Sequence, residues 1–285
     1  LSGGRRVEDL PAADRAEAAR AEDEVRSLSA EVRKAEDEIL SALRGLAERY
    51  PDYPVVDAAW LRIGEILYDR GDYQAALAAY QKALAAATAR NGDLADKAQY
   101  RLAWSIQRLA EAAEKTSLED VDQARREAAR KDMWDKRVAA VDAFESIIGR
   151  YPRSELVGDA CFRAAELRRR SGQDNTDPAK RSAWFESAVQ RYRQALEKGG
   201  PDGPCRAAAE YGDGLSLLMN GQSTEAREVF RRLLLNSDSP YVQDAYWGLG
   251  QASLNLGAYS DAAAAFEQAL TVDKTTETAA KARYG

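Results

Sequence analysis

The feature that most constrains this chain is a pattern of small and aromatic residues that recurs at almost identical offsets. The fullest copy contains Trp60, Ile63, Gly64, Leu67, Gly71, Tyr73, Ala76, Tyr80, Ala83 and Leu84. The second contains Tyr246, Leu249, Gly250, Leu254, Gly257, Tyr259, Ala262, Phe266, Ala269 and Leu270. A weaker third contains Gly214, Leu217, Gly221, Ala226, Phe230 and Leu233. A motif of this size that recurs along a chain is typical of a solenoid, in which each unit packs only on its neighbours.

The spacing predicts a pair of antiparallel helices in each copy. A small residue near the middle of the first helix allows the second to approach, and a glycine such as Gly71 ends the first helix. The second helix has an aromatic residue between two alanines at helical spacing. A single pair is too small to bury its own apolar face, so the pairs must stack.

These residues resemble the tetratricopeptide repeat, a helix–turn–helix unit of about 34 residues. The resemblance implies an all-α, right-handed solenoid of about five helical pairs over residues 51–285, with two degenerate pairs in the middle. The marker alanines fall at Ala76, Ala140, Ala188, Ala226 and Ala262. Their uneven spacing predicts a helical insert at about 112–136, with a capping box at Thr116–Glu119, and a polar loop at about 173–183. In the second pair, Trp104 stands where the family has a small residue, so we expect looser packing there.

A long helix is predicted before the repeats, over residues 14–50, after a flexible tail at 1–13. Its apolar residues alternate in steps of three and four, as in a coiled coil. They are Ala18, Ala21, Val25, Leu28, Val32, Ala35, Ile39, Ala42 and Leu46. Two interpretations follow: the C-terminal half caps the first repeat while the rest projects, or the helix self-associates. Pro51 and Pro54 end it.

The resemblance also implies a concave groove lined by the first helices of successive pairs, where other proteins or peptides bind. The candidate groove residues are Leu61, Tyr68, Arg101, Arg108, Phe162, Arg169, Tyr211, Leu218, Trp247 and Leu254. Aromatic and arginine side chains commonly anchor interfaces, so the groove suits an apolar helix or an extended aromatic and acidic segment. Alternatively, these side chains pack internally, or the 112–136 insert covers them.

Composition excludes several kinds of site. The chain has no histidine, which excludes Ser–His and Cys–His catalysis and histidine-bound zinc or haem. Its net charge of −6 disfavours nucleic-acid binding, and no apolar run is long enough to span a bilayer. We expect no enzyme activity, cofactor or metal. Cys161 and Cys205 are expected on adjacent helices, either as isolated thiols or as a disulfide that would indicate an oxidising compartment.

The sequence Arg49-Tyr50-Pro51 recurs as Arg150-Tyr151-Pro152 before a new helical pair. Helices that end in Tyr-Pro resemble those of bacterial envelope repeat scaffolds, among them proteins that join an N-terminal coiled coil to such repeats. This resemblance implies a scaffold in the periplasm or at the outer membrane; a cytoplasmic location is the alternative. Two other interpretations remain. The protein could be an assembly protein that oligomerises through residues 14–50 and through repeat stacking, or it could be a regulatory domain of a larger protein. The last repeat is expected to be truncated, with the natural chain continuing past Gly285. The first residue is Leu1 rather than methionine, which indicates either a fragment without its true start or a processed chain.

Overall fold

The computed structural model describes residues 12–90, 92–200 and 203–272, and these ranges contain eleven helices and no strand. In chain order the helices are α1 (Ala12–Arg49), α2 (Val56–Asp69), α3 (Tyr73–Ala89), α4 (Ala95–Glu119), α5 (Gln123–Arg150), α6 (Val157–Asp174), α7 (Pro178–Gly199), α8 (Arg206–Met219), α9 (Ser223–Leu233), α10 (Val242–Asn255) and α11 (Tyr259–Val272). None of them is both long and apolar enough to cross a bilayer.

The ten helices after α1 form five successive pairs, beginning with α2 and α3. Each helix packs on the next one in the chain, and the first helices of neighbouring pairs also meet, as α6 meets α8 and α8 meets α10. The marker alanines lie in the core: Ala76, Ala140, Ala188 and Ala226 are fully buried and Ala262 almost so. The predicted all-α solenoid of five pairs is confirmed.

Glycines on the first helices make room for aromatic rings on the second. The Tyr80 ring lies against Gly64, and a Cβ on Gly250 would lie 2.5 Å from the Phe266 ring. The Phe230 ring is held on two sides, because added Cβ atoms would lie 2.8 Å from it at Gly214 and 2.5 Å from it at Gly248. One aromatic ring therefore packs within its own pair and against the next pair.

Three of the pairs turn through a glycine with positive φ: Gly71 (80°), Gly221 (77°) and Gly257 (74°). In the first of these turns the Asp72 amide donates to the Leu67 carbonyl oxygen at 2.9 Å. This is the left-handed helix ending that the sequence predicts. Gly172 differs, since it lies inside α6 and makes room for the Phe185 ring.

The predicted 112–136 insert is an extension of the second pair rather than a separate element. It lengthens the C-terminal part of α4 and the N-terminal part of α5, and the tip at 120–122 exposes Val121 almost completely. The predicted capping box is wrong: Thr116 lies within α4 and bonds back to Ala112, and Asp122 caps α5 by accepting from the Arg125 amide at 2.9 Å. Apart from each other, α4 and α5 pack mainly on α3 and α6.

The second pair packs closely despite Trp104. Phe144 is fully buried, and the Trp104 ring meets it edge-on with centroids 6.5 Å apart, while the fully buried Ala103 supplies the small residue. The expectation of loose packing in this pair is therefore wrong.

The polar loop predicted at 173–183 is much shorter in the structure. Helix α6 continues to Asp174, and α7 begins at Pro178, which leaves residues 175–177 between them. Asp177 caps α7 by accepting from the amide of Ala179 at 3.0 Å. Pro178 is the first residue of α7, a position at which proline is common. The polar composition of the segment indicated a longer loop and hid this helix start.

The C-terminal half of α1 packs on the first pair and its N-terminal half projects. Leu40 and Ala47 are buried against α2 and its neighbours. Arg70, which follows α2, fixes the helix by donating to Glu36 at 2.7 Å, to Asp37 at 2.6 Å and to the Arg33 carbonyl oxygen at 3.0 Å. Except for Ala12 and Ala13, which begin α1, the flexible tail predicted at 1–13 lies outside the described residues, as does the predicted truncated end.

Candidate functional site

The first helices α2, α4, α6, α8 and α10 carry the candidate groove residues, and the structure sorts them by burial. Phe162 does not belong to the surface, since it is only 7% exposed and packs in the core beside Tyr192. Its prediction as a groove residue is wrong because α6 turns this position towards α7. The other nine are half-buried or exposed: Leu61, Tyr68, Arg101, Arg108, Arg169, Tyr211, Leu218, Trp247 and Leu254. Several of these also pack on core residues, so the groove surface and the core share side chains.

The N-terminal part of this surface has paired charges beside two tyrosines. Arg101 lies 3.7 Å from a Glu65 oxygen, which links α4 to α2. Arg108 donates to Glu111 at 2.7 Å, and its guanidinium lies 5.5 Å from the centre of the Tyr73 ring. The Tyr68 and Tyr73 rings meet edge-on, 5.1 Å apart. Side chains held in this way lose little conformational freedom when a ligand binds.

The middle of the surface contains a network of the half-buried Glu166 and Arg169 and the buried Tyr192. Arg169 donates to Glu166 at 3.0 Å and to the Tyr192 hydroxyl oxygen at 3.2 Å, and the Tyr192 hydroxyl donates to Glu166. Burial alone would raise the pKa of Glu166, but the charge and hydrogen bonds of Arg169 outweigh it and lower that pKa. Burial and the adjacent Glu166 carboxylate raise the pKa of Tyr192 well above its usual value. The network is thus a fixed ion pair at neutral pH.

Two stacked tyrosines lie beside this network. The Tyr211 and Tyr241 rings are nearly parallel, at 13°, with centroids 5.0 Å apart. Burial and the charge of Asp244 raise the pKa of Tyr211 to about 12, while Arg169 opposes that rise. Because the charges of Arg169 and Glu166 both act on Tyr211, the tyrosine pair lies within electrostatic range of the ion pair. The sequence analysis missed Tyr241, which precedes α10 and stands outside the periodic positions.

The positive charges of the arginines at this site are balanced by neighbouring carboxylates. Arg101, Arg108, Arg163 and Arg169 each have a carboxylate within 4 Å. Arg163 also lies over the Trp104 ring, 4.5 Å from its centre. The arginines therefore present hydrogen-bond donors and flat faces rather than a large net positive charge.

The candidate disulfide between Cys161 and Cys205 is absent from the structure, in which both thiols are free. Cys161 is fully buried in the core, whereas the Cys205 thiol donates to an Asp159 oxygen at 3.0 Å. Both side chains pack in the same core cluster, so nearness of their helices did not by itself produce a disulfide. Burial raises the pKa of both thiols to about 11, with a further contribution from Asp159 at Cys205.

Comparisons with known proteins agree with this architecture. The chain resembles YrrB, described as a tetratricopeptide repeat protein with an unusual peptide-binding site, at 16% identity and a TM-score of 0.57, over 86% of this chain and 98% of YrrB. It also resembles BtubC (BKLC) from P. vanneervenii, at 15% identity and a TM-score of 0.50, over 84% of this chain and 88% of the other. At these identities the likeness establishes the fold alone.

No curated protein matches the sequence. The family model described as tetratricopeptide repeat matches residues 40–91, 181–241 and 211–279, which together make up more than half of the chain. The repeat pattern, the stacked helical pairs and this match agree, and the chain belongs to the tetratricopeptide repeat family.

Proposed function

We propose that this protein is a non-enzymatic scaffold that binds extended segments of partner proteins along the face formed by its first helices. The family fold supports protein or peptide partners in general. The observation that carries the specific proposal is the run of half-buried aromatic and arginine side chains on this face, fixed by ion pairs before any ligand arrives. Such residues are the usual energetic centres of interfaces.

The side chains indicate which features of a segment each part of the face would recognise. The stacked rings of Tyr211 and Tyr241 offer a flat apolar surface for an aromatic or proline side chain. Arg101 and Arg108 retain side-chain exposures of 46% and 43%, so they can donate to an acidic residue of the segment. An aromatic residue and an acidic residue on one extended segment would therefore fit this face.

The test is a selection of binding peptides with a matched pair of variants. Short peptides displayed on phage are selected against the full chain, and enriched peptides are synthesised and titrated by fluorescence anisotropy. The Arg108→Glu variant places a negative charge on the groove face, and Arg126→Glu makes the same change on the exposed hairpin.

We expect Arg108→Glu to weaken the enriched peptides by about tenfold, a loss of about 1.4 kcal/mol, and Arg126→Glu to leave their affinity within about twofold. The proposal is wrong if the enriched peptides bind the wild type and both variants equally, because their binding site then lies elsewhere.

We further propose that the scaffold acts in a bacterial envelope complex. The support is the recurrent Arg-Tyr-Pro helix ending, which occurs in the structure at the ends of α1 and α5, together with the long N-terminal helix. Fractionation of the source cells, followed by immunoblotting with an antibody to this chain, tests the location. Recovery only in the cytoplasmic fraction would contradict it.

A further inference from the structure

Helix α1 exposes an apolar stripe that the solenoid does not cover. Val25, Leu28 and Val32 are 63%, 53% and 57% exposed, and Ile39 remains 44% exposed although it lies beside the buried Leu40. The part of α1 that packs on the solenoid is formed by Leu40, Leu43, Leu46 and Ala47, which all follow Ile39 in the chain. From Val25 to Ile39 the stripe is about 21 Å long.

The stripe has the register of a coiled coil in which Val25, Val32 and Ile39 occupy the a positions and Leu28 a d position. β-Branched residues at a and leucine at d are the usual choice for a two-stranded coil. The length and register therefore fit one additional helix of about four turns.

Charges beside the stripe decide which helix can occupy it. The four g positions from residue 17 to residue 38 are glutamate, and two of the e positions in this part of the helix are also glutamate. These residues are Glu17, Glu24, Glu31 and Glu38 at g, and Glu22 and Glu36 at e. The basic residues of this part of α1 occupy other positions, namely Arg20, Arg26, Arg33 and Lys34.

A second copy of α1 would meet like charges in either orientation. In a parallel pair the g residue of one helix faces the next e residue of the other, which places Glu31 of one copy beside Glu36 of the other. In an antiparallel pair the g rows face each other, so glutamate meets glutamate. Residues at e and g set partner choice, and like charges across such an interface are destabilising.

The glutamates are also available for a basic partner. Glu24, Glu31 and Glu38 are exposed, and within the described ranges none of them has an ion-pair partner. Glu36 is the exception, since Arg70 donates to it at 2.7 Å.

We propose that the stripe on α1 binds an amphipathic helix of a partner protein that has lysine or arginine on both sides of its apolar residues. This surface is separate from the groove face, and binding to one does not require binding to the other. A second copy of this chain is the competing occupant, and the charges disfavour it.

The test uses the full chain and three synthetic peptides of about 28 residues, four heptads each. One peptide has isoleucine at a, leucine at d and lysine at e and g. The second has glutamate in place of lysine, and the third is a scrambled version of the lysine peptide. Binding is measured by isothermal titration calorimetry, and the mass of the free chain is measured by light scattering over a concentration series.

Two variants of equal net charge localise the binding. Glu24→Lys/Glu31→Lys reverses the charges beside the stripe, whereas Asp23→Lys/Glu48→Lys makes the same change at exposed positions away from it. We expect the wild type to bind the lysine peptide, and neither of the other two. The first variant should lose about tenfold in affinity for the lysine peptide and gain affinity for the glutamate peptide, while the second stays within about twofold of the wild type.

Three results would overturn the proposal. The stripe is not a docking site for a basic helix if no peptide binds, or if the scrambled peptide binds as well as the lysine peptide. Equal loss of affinity in the two variants would indicate attraction to net charge only. A mass that doubles with concentration, and is lowered by Val32→Asp, would assign the stripe to a second copy.

Discussion

The packing of Phe230 between two glycines predicts that adding one methyl group at Gly214 destabilises the solenoid. A Cβ at this position would lie 2.8 Å from the Phe230 ring, which is tighter than normal van der Waals contact. The ring cannot move away easily, because it also lies against Gly248 and is fully buried. Either the ring or the two helices must shift.

The magnitude follows from two opposing effects. Overpacking a core by one methyl group costs about 1–3 kcal/mol. Replacing glycine by alanine within a helix contributes about 1 kcal/mol in the other direction. We therefore expect Gly214→Ala to lower the free energy of unfolding by about 1 kcal/mol.

A matched control separates the two effects. Gly45 also lies within a helix, but among the described residues nothing outside that helix comes within 4 Å of the position of an added Cβ. Gly45→Ala should raise the free energy of unfolding by about 0.5–1 kcal/mol, so the two variants should differ by about 2 kcal/mol. Urea unfolding followed by circular dichroism measures both.

A double-mutant cycle tests the cause. Phe230→Leu removes the ring atoms that the new methyl group would meet, so alanine at 214 should cost less in that background than in the wild type. If Gly214→Ala stabilises the protein as much as Gly45→Ala does, the steric reasoning is wrong.

Three further predictions concern charge and ionisation. Burial raises the thiol pKa of Cys161 and Cys205 from 9.0 to about 11, so their contribution to stability is present below pH 9 and is lost as the pH rises towards 11. The melting temperature should therefore fall between pH 9 and pH 11, and an unchanged melting temperature would refute this prediction. Burial raises the pKa of Asp213, which is 1% exposed and has one carboxylate oxygen without a hydrogen-bond partner in the described structure. Asp213→Asn should therefore raise the melting temperature at pH 7 but not at pH 3. A lower melting temperature of the variant at pH 7 would show that the carboxylate is well paired. Arg70→Ala should speed amide hydrogen exchange in residues 33–47 of α1, measured by mass spectrometry, because Arg70 bonds to this helix. Arg62→Ala should not, since Arg62 pairs with Glu65 of its own helix. Unchanged exchange in both variants would mean that Arg70 does not hold α1 in place.

The core of the fold was predictable because its rules operate over short distances in the chain. Gly64 and Tyr80 belong to one helical pair, and their spacing alone requires that the two helices approach closely. The turn at Gly71 follows from the same local pattern. Each pair repeats these rules, so a weak copy such as the one around Phe230 could be identified by comparison with a strong copy.

The ends of the helices and the pairing of the groove residues were less predictable. Thr116–Glu119 has the composition of a capping box, but the same residues also fit the last turns of a longer α4. The carboxylate that binds Arg101 lies on the preceding pair, and no local pattern in the sequence identifies it. The burial of Phe162 likewise follows from a tertiary contact, since its ring packs beside Tyr192 of α7. The tertiary contacts that fix the groove residues therefore lie beyond what the local repeat pattern can predict.

The two proposed binding surfaces differ in how their charges are balanced, and salt should distinguish them. On the groove face Arg101, Arg108 and Arg169 each have a carboxylate nearby. On α1, in contrast, Glu24, Glu31 and Glu38 have no ion-pair partner among the described residues. Raising the salt from about 0.1 M to about 1 M shortens the screening length from about 10 Å to about 3 Å.

We expect this change to weaken the lysine peptide on α1 by about tenfold or more, because net attraction between exposed charges is screened. Peptides selected on the groove face should lose only about twofold, since their affinity depends mainly on ring contacts and short hydrogen bonds. Titrations of both peptides at the two salt concentrations, on the same protein sample, measure the difference. Equal salt dependence would contradict the conclusion that charges are paired on the groove face and unpaired along the stripe on α1.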